Sequence, residues 1–570
     1  MQAQQPAGTS SRDAALACLI ALGMSLVWCL RDWPDLVALR LPDTDDVVRL
    51  QQIRDWIAGQ RFGDLTQYRL GPPEGLAMHW SRLGDVVPAA LIRLFSPLVG
   101  DRTAELIAVT IWPAATFAAA LYLVARIARR VAPQCGAVTA MIVAALAFPA
   151  TTLFMPGRID HHGLQIVLLL GSVALALAPA RYVRGVACGA LMAASIAIGL
   201  ETAPLLAVIG TAAVLEWIVA KPGSERRLAG LGAGLLAGLA VGYLAAGNGW
   251  SYPACDAFTA QAAGAAAILS FSPLALTLIG RAVAGRRARG VAAMLVGAGA
   301  TAAAVIESPG CTSPYGQVDP VLVRLWLSQV QEAQGLLHAA PATAIGYVGL
   351  VAAGLIATLW QVRRESRTGW PLILALQATS LALAFVQLRG AYVGAILAAP
   401  ALAAAIQAAR AQGSVRLIAA WLASAGIVYP LAASALPRAP RSGTAPRATC
   451  SPPMLADALT GVPAGMVVAP IDVGAWGLAA TPHHFAAAPY HRNDRGNLAM
   501  YAFFGGSPSA ARTIATTWQV DYVTACRGEL KTTPASPRSM ARLLAAGTPP
   551  HWLRPLPTQS PEILLFRVAR

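Results

Sequence analysis

The stretch MPGRIDHHGLQ, Met155–Gln165, lies between two long apolar runs, at 133–153 and 163–180. Each run is long enough to cross a hydrocarbon core of about 30 Å as a helix. A simple turn would suffice to join two such helices. This one carries Arg158, Asp160, His161 and His162 instead. Ionisable residues are expensive in lipid and collect where a membrane protein meets water or does its work.

Similar apolar runs recur outward from this point in both directions. The chain of 570 residues is 56% hydrophobic and only 12% charged, where a soluble domain carries roughly 25% charged residues. The sequence therefore predicts a polytopic α-helical membrane protein. The net charge of +16 does not point to nucleic acid. Its Lys and Arg residues sit in short clusters between apolar runs: Arg126, Arg129 and Arg130; Arg181 and Arg184; Lys221, Arg226 and Arg227; Arg281, Arg286, Arg287 and Arg289; Arg363, Arg364 and Arg367; Arg410 and Arg416.

Basic clusters mark the cytoplasmic side of spans. All six fall there if thirteen transmembrane helices run at about 14–31, 104–125, 133–153, 163–180, 185–200, 203–220, 228–246, 264–281, 290–306, 342–361, 370–387, 391–408 and 416–435. Arg12 precedes the first run, and no small-residue cleavage site follows it, so that run reads as a span rather than a removable signal. The N-terminus is then cytoplasmic. The short run 84–100 is expected to lie along the outer interface. Residues 1–435 form a transmembrane domain with outer loops 32–103, 154–163 and 307–341. Residues 436–570 form an extracytoplasmic α/β domain, reached through the Pro-rich linker LPRAPRSGTAPRATCSPP. Four of the eight cysteines fall outside, as two possible pairs, Cys255–Cys311 and Cys450–Cys526, where disulfides are permitted. GLGAGLLAGLAVG, 230–242, reads as a surface of close helix packing.

The residues with chemical potential gather in the outer segments. Asp43, Asp45 and Asp46 crowd the end of the first span, and three carboxylates so close repel unless a cation or donors neutralise them. The plain alternative is a helix N-terminus, where Asp is favoured. His79, Trp80 and Arg82 follow in the same loop, as a binding patch or an interfacial belt. Asp160 and His162 can offer O and N ligands to one divalent cation, Mg²⁺ or Mn²⁺, or serve as a cap and an exposed histidine. Glu332 sits between apolar stretches in the third outer loop. Arg389 lies at the outer end of a span, where the positive-inside bias disfavours it, and suits a phosphate. The tail carries Asp472, His491 and Arg492 beyond an apolar strand.

With these residues in view, the chain resembles the catalytic subunit of oligosaccharyltransferase, in the GT-C superfamily of glycosyltransferases. GRIDHHGLQ is similar to that family's G-x-x-D-H-H-x-x-E motif, with Gln165 in place of the Glu. GPPEGLAMHWSRLGD is similar to the family's first-loop stretch, and VQEAQ and QLRGAYVGAILAAPALA to its late-loop and late-span motifs. The resemblance implies Asp160 and His162 as metal ligands together with first-loop aspartates, Asp45 and Asp46. It also implies Asp45 or Asp43 with Glu332 at the acceptor, and Arg389 at the donor phosphate. The aspartate register stays open: spacing to PPEG favours Asp45, the following Arg-Leu favours Asp43. The family's Trp-Trp-Asp-Tyr-Gly motif would fall on PIDVG, which keeps Asp472 and Gly474 but has Pro470 and Ile471 for the tryptophans.

The expected function is therefore an inverting transfer of a sugar or oligosaccharide from a polyprenyl-linked donor in the bilayer to a protein or glycan acceptor. It would take place on the periplasmic face of a bacterial inner membrane and depend on a divalent metal. A transferase that uses a lipid-phosphate monosaccharide to modify a glycolipid or polysaccharide shares the same outer acidic loop. A transporter or flippase fits less well, because transporters place their polar residues near the midplane and often show repeats.

Overall fold

The computed structural model describes residues 8–133, 136–246, 256–309, 311, 318–365, 369–435, 450–532 and 536–569. It is mostly helical. Among the described residues, six helices are long and apolar enough to cross a membrane: Ser10–Val37, Asp101–Val131, Ser224–Ala245, Ala260–Ile279, Arg286–Glu307 and Pro341–Arg364. Two bent pairs, Leu388–Leu397 with Ala399–Arg410 and Ser414–Ser424 with Val428–Ser434, bring the number to eight if each pair is one span.

Several expected spans are built from shorter pieces. Four apolar helices, His161–Ala176, Tyr182–Ile198, Ala203–Ile218 and Trp370–Val386, have only 16 or 17 residues, or roughly 25 Å at 1.5 Å per residue. The run 133–153 contains a nine-residue helix, Ala137–Ala145, and a short 3₁₀ turn, Ala150–Phe154. Pro149 separates them and cannot donate to a continuing helix. Residues 86–99 form a 14-residue helix, Val86–Val99, shorter than a span, and Gly100 turns the chain back into Asp101–Val131.

The described chain forms two compact units. The first comprises Met1–Leu36, Trp80–Gly316 and Ser328–Leu436; the second comprises Val37–His79, Gln317–Leu327 and Pro437–Arg570. The first outer loop and the third are thus each divided between the units.

In the first unit, the tightest helix contact pairs Tyr182–Ile198 with Ser224–Ala246. Glycines allow it. A Cβ at Gly234 would fall on the Val186 carbonyl oxygen, one at Gly230 on Tyr182 O, one at Gly185 on Arg227 O and one at Gly189 on Leu231 O. Gly230, Gly234, Gly238 and Gly242 recur every four residues, so they share one face of their helix. The backbones meet directly, which is how helices associate where lipid supplies no hydrophobic drive. Elsewhere in the unit, the almost fully buried Asp13 pairs with Arg129 at 2.5 Å and ties the first helix to Asp101–Val131.

The second unit holds a five-stranded sheet in the order His484–Phe485, Met466–Val468, Tyr522–Cys526, Ile563–Val568, Leu553–Pro555. The first three strands run parallel and the last two pair antiparallel. Helix Ile471–Ala480 links the two outermost parallel strands. Residues from the first loop complete this unit. Helix Thr44–Ile57 packs on Ile471–Ala480, and Leu70 bridges to Phe485.

Cys450 and Cys526 are joined as a disulfide across 76 residues of sequence. Cys255, of the other suggested pair, lies outside the described residues, as does most of the Pro-rich linker. Closing a loop of that length lowers the entropy of the unfolded chain by an amount worth about 4 kcal/mol. Replacing both Cys450 and Cys526 by Ser is expected to lower the unfolding midpoint of the second unit. Wild type treated with a reductant should fall to the same midpoint, and an unchanged midpoint would show that the bridge contributes nothing.

Candidate metal centre

Asp160 ends a tight approach to helix His161–Ala176. The loop before it is pinned where Gly157 N donates to Val109 O at 2.8 Å. Gly163, in the first turn, lies close against Leu153 O and the Phe154 ring. Asp160 itself is the N-cap: its Oδ1 accepts from His161 N at 2.7 Å and meets His161 Nδ1 at 2.6 Å. The capping reading of this aspartate is correct but incomplete, because Oδ2 faces His162 Nε2 at 3.4 Å.

The contacts continue into a second segment. His161 Nε2 meets Glu201 Oε1 at 3.3 Å. Gln165 Nε2 donates to Glu201 Oε2 at 3.0 Å and to Gly199 O at 2.9 Å. Gln165 Oε1 meets His162 Nδ1 at 3.4 Å. Asp160, His161, Glu201, Gln165 and His162 therefore close a ring, with each side chain touching the next. Glu201 sits in the turn between Tyr182–Ile198 and Ala203–Ile218, held where Ser195 Oγ and Thr202 Oγ1 hydrogen bond at 2.8 Å. Burial pushes the Glu201 carboxyl up, but His161, through its charge and hydrogen bond, together with the charges of His162 and Arg389, holds its pKa well below the usual range.

Asp160, His161 and His162 bring one ligand atom each to within 4.8 Å of one another, and no other group of three or more His, Cys, Asp or Glu does so among the described residues. The donor set fits a hard or borderline divalent ion. An imidazole nitrogen and a carboxylate oxygen 3.4 Å apart are a separation that two ligands at about 2.1 Å from one ion can span.

Arg389 belongs to the same neighbourhood, since its charge acts on both His162 and Glu201. Its Nε donates to Gln387 Oε1 at 2.6 Å. Glu332 lies on the 3₁₀ turn Gln331–Ala333 and accepts from the Tyr392 hydroxyl at 3.2 Å. Two backbone bonds dock that segment at the helix ends, Leu388 N to Gln334 O at 2.8 Å and Leu336 N to Ala384 O at 2.9 Å. Arg158 also lies within electrostatic reach of Tyr392.

The first-loop aspartates belong to the second unit. Asp43 is the N-cap of Thr44–Ile57 and accepts from Asp45 N at 3.1 Å. Asp46 is fully buried, as is Arg49 one turn later. Asp472 stands in the first turn of Ile471–Ala480, just past the carboxyl end of strand Met466–Val468. Crowding by the surrounding chain, and next the Asp43 carboxylate, raise its pKa. Burial and then Asp472 push the Tyr501 phenol up to about 12. His491 packs on His79 with ring centroids 4.7 Å apart. Arg492 Nη1 donates to the carbonyls of Ala77 and Met78 at 3.3 and 3.2 Å, which ties down the short hairpin Thr66–Ala77.

Sequence reasoning missed Glu201 and Tyr392, and it noted Gln165 only as a departure from a motif. The signal for Glu201 was a carboxylate in a four-residue turn, GLET, between two apolar runs on the same side as Asp160. His161 is engaged on both sides. It is buried, and both ring nitrogens face carboxylates.

No family model and no curated protein matches the sequence. Solved structures do match. The apo crystal structure of the Archaeoglobus fulgidus oligosaccharyltransferase has a TM-score of 0.66 at 14% identity, covering 91% of this chain and 70% of that one. The same organism's enzyme, AglB, in complex with an inhibitory peptide and a dolichol-phosphate has a TM-score of 0.61 at 15% identity, covering 94% and 72%. Its complex with zinc and sulfate has a TM-score of 0.61 at 15% identity, covering 98% and 72%. At such low identity the likeness shows the fold alone: this chain shares the fold of the Archaeoglobus fulgidus oligosaccharyltransferase.

Proposed function

We propose that the chain is a membrane glycosyltransferase of the oligosaccharyltransferase type. It would take a sugar or oligosaccharide from a polyprenyl-linked donor and pass it to a protein or glycan acceptor on the periplasmic face of a bacterial inner membrane. The observation that carries the proposal is the Asp160–His162 pair with Arg389 in electrostatic reach, placed within this fold. In this reading the eight longer or paired spans, the four shorter apolar helices and the apolar run 133–153, of which Ala137–Ala145 is the helical part, make thirteen crossings. The second unit then lies outside, where its Cys450–Cys526 disulfide is at home.

Asp160 and His162 would hold a divalent ion, Mg²⁺ or Mn²⁺, and zinc accompanies the archaeal neighbour. Asp45 and Asp46 are the further proposed ligands. When bound, the ion supplies charge stabilisation on the phosphate that leaves. Arg389 would bind that phosphate through charge-assisted hydrogen bonds. Asp43 or Asp45, with Glu332, would orient the acceptor and take its proton. Asp472, His491 and Arg492 are assigned to the acceptor side.

The bond changes are those of a single displacement. The acceptor heteroatom attacks the anomeric carbon of the donor from the face opposite the lipid phosphate. The new glycosidic bond forms as the bond from that carbon to the phosphate oxygen breaks. The bonding pair leaves with the lipid phosphate, the acceptor proton goes to the carboxylate, and configuration inverts. Pro470 and Ile471, in place of the family's tryptophans, favour an acceptor other than an Asn sequon. The acceptor peptide with an NVT sequon that the archaeal neighbour carries is therefore not proposed as this chain's acceptor.

The test is to incubate purified protein with polyprenyl-linked sugars and to identify by mass spectrometry the lipid released and the glycan or protein enlarged. A released polyprenyl phosphate or pyrophosphate with an enlarged acceptor supports transfer, and tells the two donor types apart. Donor moved across vesicles without being consumed would instead make the chain a flippase. Arg389→Ala is expected to raise the donor KM and lower kcat/KM by about 100-fold, on the order of 2–3 kcal/mol of lost charge-assisted binding. An Arg389→Ala protein with wild-type kinetics would remove this residue from the donor site.

A further inference from the structure

We infer that Glu201 and Gln165 are positioning residues that fix the tautomer of His162 and so present its Nε2 lone pair to the space shared with Asp160 Oδ2. The inference rests on the metal reading above and extends it to two residues outside the ligand set.

Donors and acceptors around the ring admit one orientation of the Gln165 amide. A glutamine amide has two N–H donors and one acceptor oxygen. Gln165 Nε2 has two acceptors in reach, Gly199 O at 2.9 Å and Glu201 Oε2 at 3.0 Å. Neither can donate back, so the amide has one orientation, with its nitrogen toward the turn. Its oxygen then faces His162 Nδ1 at 3.4 Å. An amide oxygen only accepts, so Nδ1 carries a proton, and in the neutral imidazole, the form that ligates metal, Nε2 carries the lone pair. Nε2 lies 3.4 Å from a carboxylate oxygen. In that neutral form two acceptors face each other, an arrangement a cation relieves. Metal-bound histidines are typically set in this way, by a partner on the ring nitrogen away from the ion.

Residue type supports the same conclusion. The motif that GRIDHHGLQ resembles has Glu at the position of Gln165. An ionised Glu here would meet the Glu201 carboxylate head on. Gln165 can donate to Glu201 and accept from His162 at once, and it is only 1% exposed. Glu201 also restrains the neighbouring imidazole, because its other oxygen meets His161 Nε2. With Asp160 on Nδ1, His161 is engaged from both sides and left out of the ligand pair.

The test is Mn²⁺ binding to the purified full-length protein, read by electron paramagnetic resonance, with thermal unfolding as the folding control. Gln165→Leu keeps the volume and removes all three bonds, and it is expected to weaken binding roughly 10–100-fold. The double exchange Gln165→Glu with Glu201→Gln reverses the donor but keeps an acceptor on His162 Nδ1. It is expected to restore affinity to within about threefold of wild type. Wild-type affinity in Gln165→Leu overturns the inference. So does an exchanged protein that folds and binds as weakly as Gln165→Leu, because the exchange gives up the bond to Gly199 O but keeps an acceptor on His162 Nδ1 and a donor between positions 165 and 201. If Gln165→Leu fails to fold, the exchange decides alone. A wild-type protein that binds no Mn²⁺ overturns the metal reading itself, before any substitution is made.

Discussion

Asp160→Asn is expected to fold normally and to lose transfer activity by about 1,000-fold or more, about 4 kcal/mol in the barrier. The choice of Asn matters. Asp160 caps helix His161–Ala176 through Oδ1, and Asn caps about as well as Asp. The substitution therefore spares the helix start and removes only the negative charge that a divalent ion needs. His162→Ala should fall in the same range. His162 makes no capping bond, so its loss isolates the nitrogen ligand. The measurement is kcat/KM for donor consumption, taken across a range of Mn²⁺ or Mg²⁺ concentrations. If the loss reflects ligation, added metal recovers part of it. Unimpaired metal-dependent transfer in both variants would end the assignment of this pair.

Gly234→Leu is expected to prevent stable folding, at a cost of more than about 3 kcal/mol. Overpacking is usually absorbed by side chains that move. Here a Cβ at 234 meets the carbonyl of Val186, which is backbone in a second helix, so the helices must part along their length. Each of Gly185, Gly189, Gly230 and Gly234 sits against backbone in this way, so parting at one loosens all four. Gly297→Leu is the control. It lies on Arg286–Glu307, with nothing within 4 Å of where its Cβ would be. The pair should separate clearly in detergent. Gly297→Leu should keep the wild-type elution profile and unfolding midpoint, and Gly234→Leu should aggregate or unfold tens of degrees lower. Equal midpoints would show that the glycine face does not hold these helices together. Because Tyr182–Ile198 ends at the turn that bears Glu201, a milder change such as Gly189→Ala is expected to disturb metal binding before it disturbs expression.

Local composition was enough for much of this. Apolar runs announce membrane helices because no other backbone arrangement satisfies its own hydrogen bonds in lipid except a closed barrel. The glycine spacing at 230, 234, 238 and 242 announces a close contact because a four-residue period keeps one helix face. Asp160 and His162 stood out because charge is scarce in such a sequence. Short apolar strands alternate in the tail with helix-like stretches, and the described strands of the tail form one sheet.

The sequence could not determine where runs break into shorter helices. Breaks depend on packing partners as much as on Pro149 or Gly100, and a 16-residue helix reads like a longer one when apolar residues continue past its end. Nor could it divide the first outer loop. Residues 37–79 complete the second unit, while Trp80 onward belongs to the first, and nothing in the local pattern marks that boundary. The ring around Asp160 was the least legible feature. Glu201 is far from Asp160 in the chain and joins it only because Tyr182–Ile198 returns the backbone to the same surface. A sequence displays which groups are chemically capable, because capability belongs to single residues and their near neighbours. Tertiary structure decides which of them share a proton, because hydrogen-bond partnership depends on distances that the chain closes only when it folds.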